Sequence, residues 1–511
     1  MKDLPYRWLG EFVPQSERTR AMAWAQGLSA ADLARARFDG YAVADWVQSS
    51  VVSYFRQYPP ELSNPEVARV FRGFIAGAAI VATGLTRYLE LHPIDAALLF
   101  NGRQSMTRVA FEVLRTLGIR VLTHEAPFYQ RGHLMLKPNA RCWSIEPFSQ
   151  YWRAWRGIPL ARADLERTLA WLKNRRYGSG LSWHAYNRPH TDNLSIRKEL
   201  ELSQGKRLLA LFTSSMDETA GDAELAGPWE TQGAWVEDVL RWVGGRSDVE
   251  LVIRVHPHLA GKTGLGKAHD EFSLYQKMKT SLPRNVRLVM PDDPLNSYAL
   301  MDEADVCLSF GSSVGIEMAM QGKPVVLAAR AVYEDCAHVL AVRSRESLGQ
   351  MLERSLQPAA TRDIQREAFR LAFYYVFRFE LPFPLVRMSG VMDADLRYDT
   401  VEALAPGKDD ALDHVCDHLL KGQPLFDPPG ENDRARSTAD ENAFFVEMER
   451  LREPFRDRGH ETRLRRLGWL DSFRRSVVRG LEHLPRRLAA PLRTAGKAVY
   501  SPVQHWLRGR N

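Results

Sequence analysis

Apolar and polar positions change period along this chain, and the changes divide it. Over the first 90 residues apolar side chains recur at helical spacing through Ala30–Ala36, Tyr41–Tyr58 and Pro65–Leu91, so a mostly helical region is expected. The pattern then shortens. Asp95–Phe100 (DAALLF) has strand length and is closed by Asn101–Gly102–Arg103. A helical stretch runs to about Leu117, Gly118 ends it, and Ile119–Thr123 (IRVLT) reads as a second strand. This β-α-β step has the form of part of a Rossmann-like sheet. Trp143–Tyr186 is again helical and rich in Trp and Arg, and Pro and Asn cluster at Asn187–Asn193, where a linker is expected.

The most regular section follows. Strands are expected at Arg207–Phe212, Glu250–Val255, Val286–Met290, Asp305–Phe310 and Pro324–Ala328. Helices are expected between them at Gln232–Gly244, Glu271–Leu282, Ser297–Glu303 and Val314–Gln321. The strands are apolar without alternation, which means burial on both faces, and their alternation with helices means a parallel, doubly wound sheet. Glu367–Phe377 reads as an aromatic-rich helix, and Gly422–Glu441, rich in Pro, Asp and Gly, as a linker. The expected division is residues 1–190, a Rossmann-like half with a helical extension; 194–345, a second Rossmann unit; 346–421, a helical return; and 422–511, linker and tail.

Composition adds limits. A chain of 511 residues is long for one core, and 45% apolar with 26% charged residues is ordinary for a globular protein. The four cysteines, Cys142, Cys307, Cys336 and Cys416, are scattered without a C-x-x-C pair, so neither a zinc knuckle nor a disulfide framework is indicated, and the usage suits a reducing cytoplasm. The start lacks the apolar core of a signal peptide. The nearly apolar stretch Phe74–Leu85 is short of the roughly 20 residues that span a bilayer, so it is expected to be a buried helix. The net charge of +7 is uneven: Arg463–Asn511 carries +10 and the rest −3, which argues against a nucleic-acid-binding core.

Two segments carry candidate chemistry. In Arg254–Val–His–Pro–His258, His256 and Pro257 stand where a buried parallel strand runs out at its carboxyl end, the side on which open α/β sheets bind ligands. Proline rigidifies the turn, and a histidine there can donate to a phosphate oxygen. The dipeptide alone is cheap, since His92–Pro93 repeats it. In Phe310–Gly–Ser–Ser–Val–Gly–Ile–Glu317, Gly311 permits a tight turn, Ser312 and Ser313 offer hydroxyls at a helix start where an anion is favoured, Gly315 permits a close approach, and Glu317 can accept from ribose hydroxyls. A serine N-cap would account for one of the two hydroxyls, not for both. Thr213–Ser214–Ser215 and Asp217–Glu218 follow another strand and can line the same cleft. No metal constellation stands out: Asp393–Ala–Asp395 lies after the Rossmann section, and P-loop and G-x-S-x-G signatures are missing.

Together the strand ending in Arg254–Val255–His256–Pro257, the Asn296–Ser297–Tyr298 helix start, the Gly311–Glu317 turn and Gly322–Lys323–Pro324–Val325 resemble the donor half of bacterial capsule-polysaccharide glycosyltransferases. These are metal-independent GT-B enzymes related in plan to capsule Kdo transferases and polysialyltransferases. The resemblance covers roughly Arg207–Tyr333, and Phe100–Arg103, Gly118–Ile119 and His124–Glu125 match the family's order more faintly. It implies two Rossmann-like domains facing a cleft, a nucleotide-sugar donor (a CMP-sugar being one candidate), no required cofactor, a polysaccharide or glycolipid acceptor, and inversion. It places the nucleotide's phosphate on His256, Ser312 and Ser313. The general base belongs on the amino-terminal half, where Glu125 and His124 end a strand; Asp39 is a rival, because the acidic motif of the sialyltransferases is missing. Arg103 and Arg131 are candidates for an anionic sugar or phosphate.

Two further readings use the same design: a polyol-phosphate transferase or a sugar-nucleotide epimerase, and a non-catalytic scaffold of a polysaccharide assembly complex. The tail interleaves arginine pairs such as Arg465–Arg466 and Arg486–Arg487 with Trp469, Phe473 and Trp506, a pattern suited to the anionic inner face of a plasma membrane. A chain truncated near Asp457 is expected to lose sedimentation with anionic vesicles that the full chain retains; equal sedimentation of both would refute membrane binding by the tail.

Overall fold

The computed structural model describes residues 6–126, 130, 132–177, 195–216, 221–260, 269–388, 394–427, 437–451 and 454–456. The expected linker at 187–193, Arg131, Asp217–Glu218 and the basic tail lie outside the described residues.

The chain opens in helices: α1 (Gln15–Gly27), α2 (Val43–Phe55) and α3 (Pro65–Leu91). Asn64 caps α3 by accepting from the Glu66 N–H, and Pro65 takes the first helical position, where its missing N–H costs nothing. The apolar stretch seen in the sequence is part of a longer helix. Among the described residues α3 is the one helix long and apolar enough to cross a membrane, with mean hydropathy 1.4. Its Ile75, Ala78, Ala79 and Ala82 are wholly buried, and it packs against α1, α2 and α4 (Ser105–Thr116).

The expected β-α-β step is present as β1 (Ala96–Phe100), α4 and β2 (Arg120–Glu125), with β1 and β2 parallel. The sheet around it is mixed. β3 (His133–Pro138) runs antiparallel to β2, and a late segment, β10 (Leu381–Pro382), pairs antiparallel with β3, giving the order β1-β2-β3-β10. Pairing across roughly 250 residues leaves no short-range pattern to read.

After α5 (Glu146–Trp155) and α6 (Arg162–Tyr177) comes the second sheet: β4 (Arg207–Phe212), β5 (Val249–Arg254), β6 (Val286–Val289), β7 (Val306–Ser309), β8 (Val325–Leu327) and β9 (Val339–Ala341). All are parallel, in the order β6-β5-β4-β7-β8-β9. The order reverses between β4 and β7, which makes their carboxyl ends the topological switch point. The connecting helices α7 (Gln232–Gly244), α9 (Ser297–Glu303) and α10 (Val314–Met320) match expectation to within a residue, while α8 (His269–Met278) starts two residues before the expected Glu271–Leu282 and ends four before it, giving way to a 3-10 turn at Lys279–Ser281. β9 is an addition; its three residues are too few for a periodic signal.

Two apolar cores cover the two faces of this sheet. One holds Leu209, Leu211, Trp235, Leu251 and Ile253. The other runs from Leu208 and Ala210 through Trp152, Trp171 and Phe369 to Leu122 and Leu136 of the first sheet, so the two sheets share a core. The region expected as linker and tail contributes to it. α14 (Thr438–Arg450), which follows α11 (Leu348–Ser355), α12 (Thr361–Phe373) and α13 (Asp410–Lys421), is capped by Ser437 and buries Phe444, Phe445 and Met448. Pro and Gly upstream obscured a helix that starts at Thr438. The architecture is α/β and GT-B-like, two α/β units facing a cleft, with a helical region at the front.

Glu441 of α14 is fully buried, accepts from the Leu160 N–H at 2.7 Å and is bracketed by Arg370 at 2.6 and 2.9 Å. Glu441→Ala leaves Arg370 without its counter-charge and is expected to lower stability by about 3 kcal/mol, read by urea unfolding. A change under about 1 kcal/mol would refute the anchoring role of α14.

Candidate functional site

A cleft of about 1010 Å³ opens between the two units, lined from both sides. Its floor is the carboxyl end of β4, β5 and β7. There Thr213 and Ser214 tie the three departing loops together. The Thr213 hydroxyl accepts from the His256 N–H at 2.8 Å, and the Ser214 hydroxyl donates to the Phe310 carbonyl at 3.0 Å. Gln232 clamps Ser214 from the other side, accepting from its N–H at 2.6 Å and donating to its carbonyl at 3.1 Å. Both expected residues therefore line the cleft, with their hydroxyls engaged in holding it.

His256 and Pro257 line the cleft as expected. Pro257 begins a short 3-10 turn, Pro257–Ala260, that brings the His258 N–H to 3.3 Å from His256 Nδ1. Nδ1 is thus an acceptor, and the neutral ring carries its proton on Nε2. Arg254 lies beneath, buried, bonded to Ser297 at 3.3 Å and to the Met290 carbonyl at 2.5 Å. Burial pulls its guanidinium down to about 10, against the opposing pull of Asp293 and Asp292.

The serine turn is built by β7 and Tyr333. Gly311 has φ +85°, a conformation that favours glycine. The Ser312 N–H donates to Ser309 Oγ at 3.0 Å and its carbonyl accepts from Tyr333 at 2.6 Å. Its hydroxyl accepts from the Val314 N–H at 3.4 Å. What approaches Gly315 is Tyr333 itself: a Cβ there would stand 2.4 Å from the phenol oxygen. The helix that starts here, α10, has only seven residues, so its dipole is short. Charge comes instead from a side chain the sequence did not single out. Arg175, in the last turn of α6, donates from Nη2 to Ser313 Oγ at 3.1 Å and from Nε and Nη2 to Glu317 Oε1 at 2.9 and 2.7 Å. Glu317 is buried and also accepts from the Tyr298 hydroxyl at 2.6 Å. Arg175 is separated from this turn by more than a hundred residues, so no local pattern could have paired them.

On the facing wall, Glu125 ends β2 and lines the cleft. It accepts from the Asn101 side chain at 2.5 Å and from the Ala126 N–H at 2.9 Å. His124 does not line it. Neighbours on a strand point to opposite faces, and His124 sits edge-on to Phe100, its ring pKa lowered by burial. Asp39 is also elsewhere: it lies in an exposed turn, with its carboxylate held below its usual range by Arg20. Arg103 does line the cleft and is buried. So does Lys137, an unforeseen member, which donates to the Ser144 carbonyl at 3.2 Å and is pushed down to about 8 by burial. Lys323, quoted above in the Gly-Lys-Pro-Val run, instead caps the end of α9, donating to the Asp302 carbonyl at 2.7 Å.

The two walls are pinned at their edges. Arg141 of the first unit is bonded to Asp222 and Glu224 of the second, and Arg56, at the end of α2, donates to the His258 carbonyl at 3.0 Å. Among the described residues no group of three or more His, Cys, Asp or Glu is placed to hold a metal ion.

No family model matches the chain, and no curated protein matches it in sequence. Solved structures do resemble it. A KpsC of Thermosulfurimonas dismutans, a beta Kdo 2,4 transferase, is 15% identical, aligning 54% of this chain with 78% of its own, at a TM-score of 0.35. The UDP-GlcNAc 2-epimerase of Methanocaldococcus jannaschii, solved with UDP-GlcNAc and UDP, is 13% identical over 57% of this chain and 80% of its own, at 0.28. A variant of the wall teichoic acid polymerase TagF is 13% identical over 36% and 42%, at 0.24.

Gly315→Ala drives a methyl group into Tyr333 and displaces the carbonyl of Ser312 that Tyr333 holds. A loss of about 2 kcal/mol or more is expected in thermal unfolding. An unchanged melting temperature would refute the close packing of this turn.

Proposed function

We propose that this protein is a glycosyltransferase that moves a sugar from a nucleotide-sugar onto a growing capsule or other surface polysaccharide, or onto its lipid-linked precursor. The observation that carries the reading is the convergence, at the switch point of a six-stranded parallel sheet, of His256 and the Ser312–Ser313 turn, opposite Glu125 across the cleft. The sequence resemblance to capsule glycosyltransferases falls on these same residues.

The donor's phosphate lies over the β5 and β7 loops. His256, its Nε2 carrying the proton, donates to a phosphate oxygen, and Ser312 and Ser313 flank the other side. As the bond from the sugar to the leaving nucleotide breaks, negative charge builds on the phosphate, and donors fixed before the reaction stabilise it. Glu125, oriented by Asn101, takes the proton of the acceptor hydroxyl as that oxygen attacks the anomeric carbon. Attack from the face opposite the leaving group inverts that carbon. Protein groups meet the phosphate charge, so a metal is not required. The enzyme acts at the inner face of the membrane, with the basic tail on anionic lipid.

The test is calorimetric titration with CMP, CDP, UDP, GDP and their sugar conjugates. One nucleotide is expected to bind, and His256→Ala and Ser313→Ala are each expected to weaken it by about tenfold or more, the worth of a hydrogen bond to a charged group. Glu125→Gln is expected to retain binding and lose turnover. Absence of any nucleotide binding, or binding indifferent to both donor-side variants, would overturn the reading and favour a non-catalytic scaffold.

A further inference from the structure

We infer that Arg175 is a ligand of the donor's phosphate, and that Glu317 positions it rather than holding the ribose. The inference rests on the donor site proposed above and adds to it a residue from outside the second sheet.

Three observations carry it. First, Arg175 lines the cleft and its Nη2 is 3.1 Å from Ser313 Oγ, so a phosphate oxygen bound to that hydroxyl stands within reach of the guanidinium. Because Ser313 Oγ accepts from Arg175, its own proton is directed away from the arginine. Ser313 is left as a donor, the role an anion needs. Second, the guanidinium is fixed before any ligand arrives. Glu317 takes two of its N–H groups on one oxygen, Tyr298 holds the other oxygen, and the Trp171 ring lies 5.3 Å from the guanidinium carbon. The next residue, Arg176, pairs with Asp302 of α9, so the end of α6 is moored to two helices of the second unit. A guanidinium held in place beside a hydroxyl donor suits an anion, and little rotamer entropy remains to be lost on binding. Third, the Glu317 side chain is only 2% exposed and both its oxygens already accept bonds, an arrangement for steadying a cation and not for greeting a sugar.

The test compares Arg175→Gln, Arg175→Lys and Glu317→Gln with the full chain, each checked for folding by circular dichroism. The probes are the bound nucleoside diphosphate, its 2′-deoxy form, the nucleoside and inorganic pyrophosphate. Arg175→Gln is expected to weaken the diphosphate about tenfold or more while changing the nucleoside less than about twofold, with partial recovery in Arg175→Lys. Glu317→Gln is expected to weaken the diphosphate in the same direction and keep the preference between ribose and deoxyribose forms. Arg176→Gln, which loses the mooring to Asp302 and the contact with the Tyr298 ring but leaves Arg175 in place, serves as the control for a purely structural effect, and a loss as large as that of Arg175→Gln would overturn the inference. Equal losses for diphosphate and nucleoside, or no loss, would overturn the phosphate role of Arg175. Collapse of the ribose preference in Glu317→Gln would restore the ribose contact. Pyrophosphate binding that depends on Arg175 in a chain that binds no nucleotide would sustain Arg175 as a phosphate ligand while the donor reading fell.

Discussion

Beyond the carboxyl ends of β4, β5 and β7 three loops leave the sheet, and the His256 N–H and the Phe310 carbonyl there are met by side chains and not by a strand. Their satisfaction inside the cleft is the constraint on which the rest of the site depends. Thr213 and Ser214 meet it in one dipeptide, the first accepting from the backbone of the β5 loop and the second donating to the backbone of the β7 loop. The two loops are thereby set at a fixed separation. His256 and the serine pair, which line the cleft, inherit that separation. A buried polar group left unpaired would cost about 1–3 kcal/mol, so the cross-ties stabilise the fold and set the site in the same stroke.

The facing wall depends on a second kind of tie. Arg141 reaches from the first unit to Asp222 and Glu224 in the loop after β4, and that loop in turn packs Gly221 against the backbone of Ser49. Arg56 contacts the backbone just beyond Pro257. The loops that form the floor are therefore gripped from above by the unit that carries Glu125. The position of one wall of the cleft relative to the other follows from these ties more than from the shared apolar core, which is less directional.

Much of the second sheet was legible because its buried strands β4 to β8 are short, mostly apolar runs and helices separate them along the chain; α7 and α9 match their expected limits residue for residue. That His256, Pro257, Gly311, Ser312 and Ser313 line the cleft was legible because strand ends are local features. What was not legible is non-local. β10 joins a strand formed far earlier in the chain, and Arg175 meets Ser313 across more than a hundred residues. His124 and Asp39 were misplaced for a different reason: the type of residue fitted a base, but a one-residue shift along β2 turns a side chain to the other face, and Asp39 already had Arg20. α14 was hidden by the composition of the segment before it.

The late return of the chain to the first sheet has a consequence for synthesis. The second sheet is contiguous, from Arg207 to Ala341, and every strand finds its partners as it emerges. The first sheet waits for Leu381–Pro382, the backbone N–H of Gln130 waits for Glu380, and β1 and β2 wait for α13. On a ribosome, which makes the amino-terminal part first, the part made first is finished last. Its apolar positions stand open while the second unit is made and folds, an interval that favours misassembly of the nascent chain.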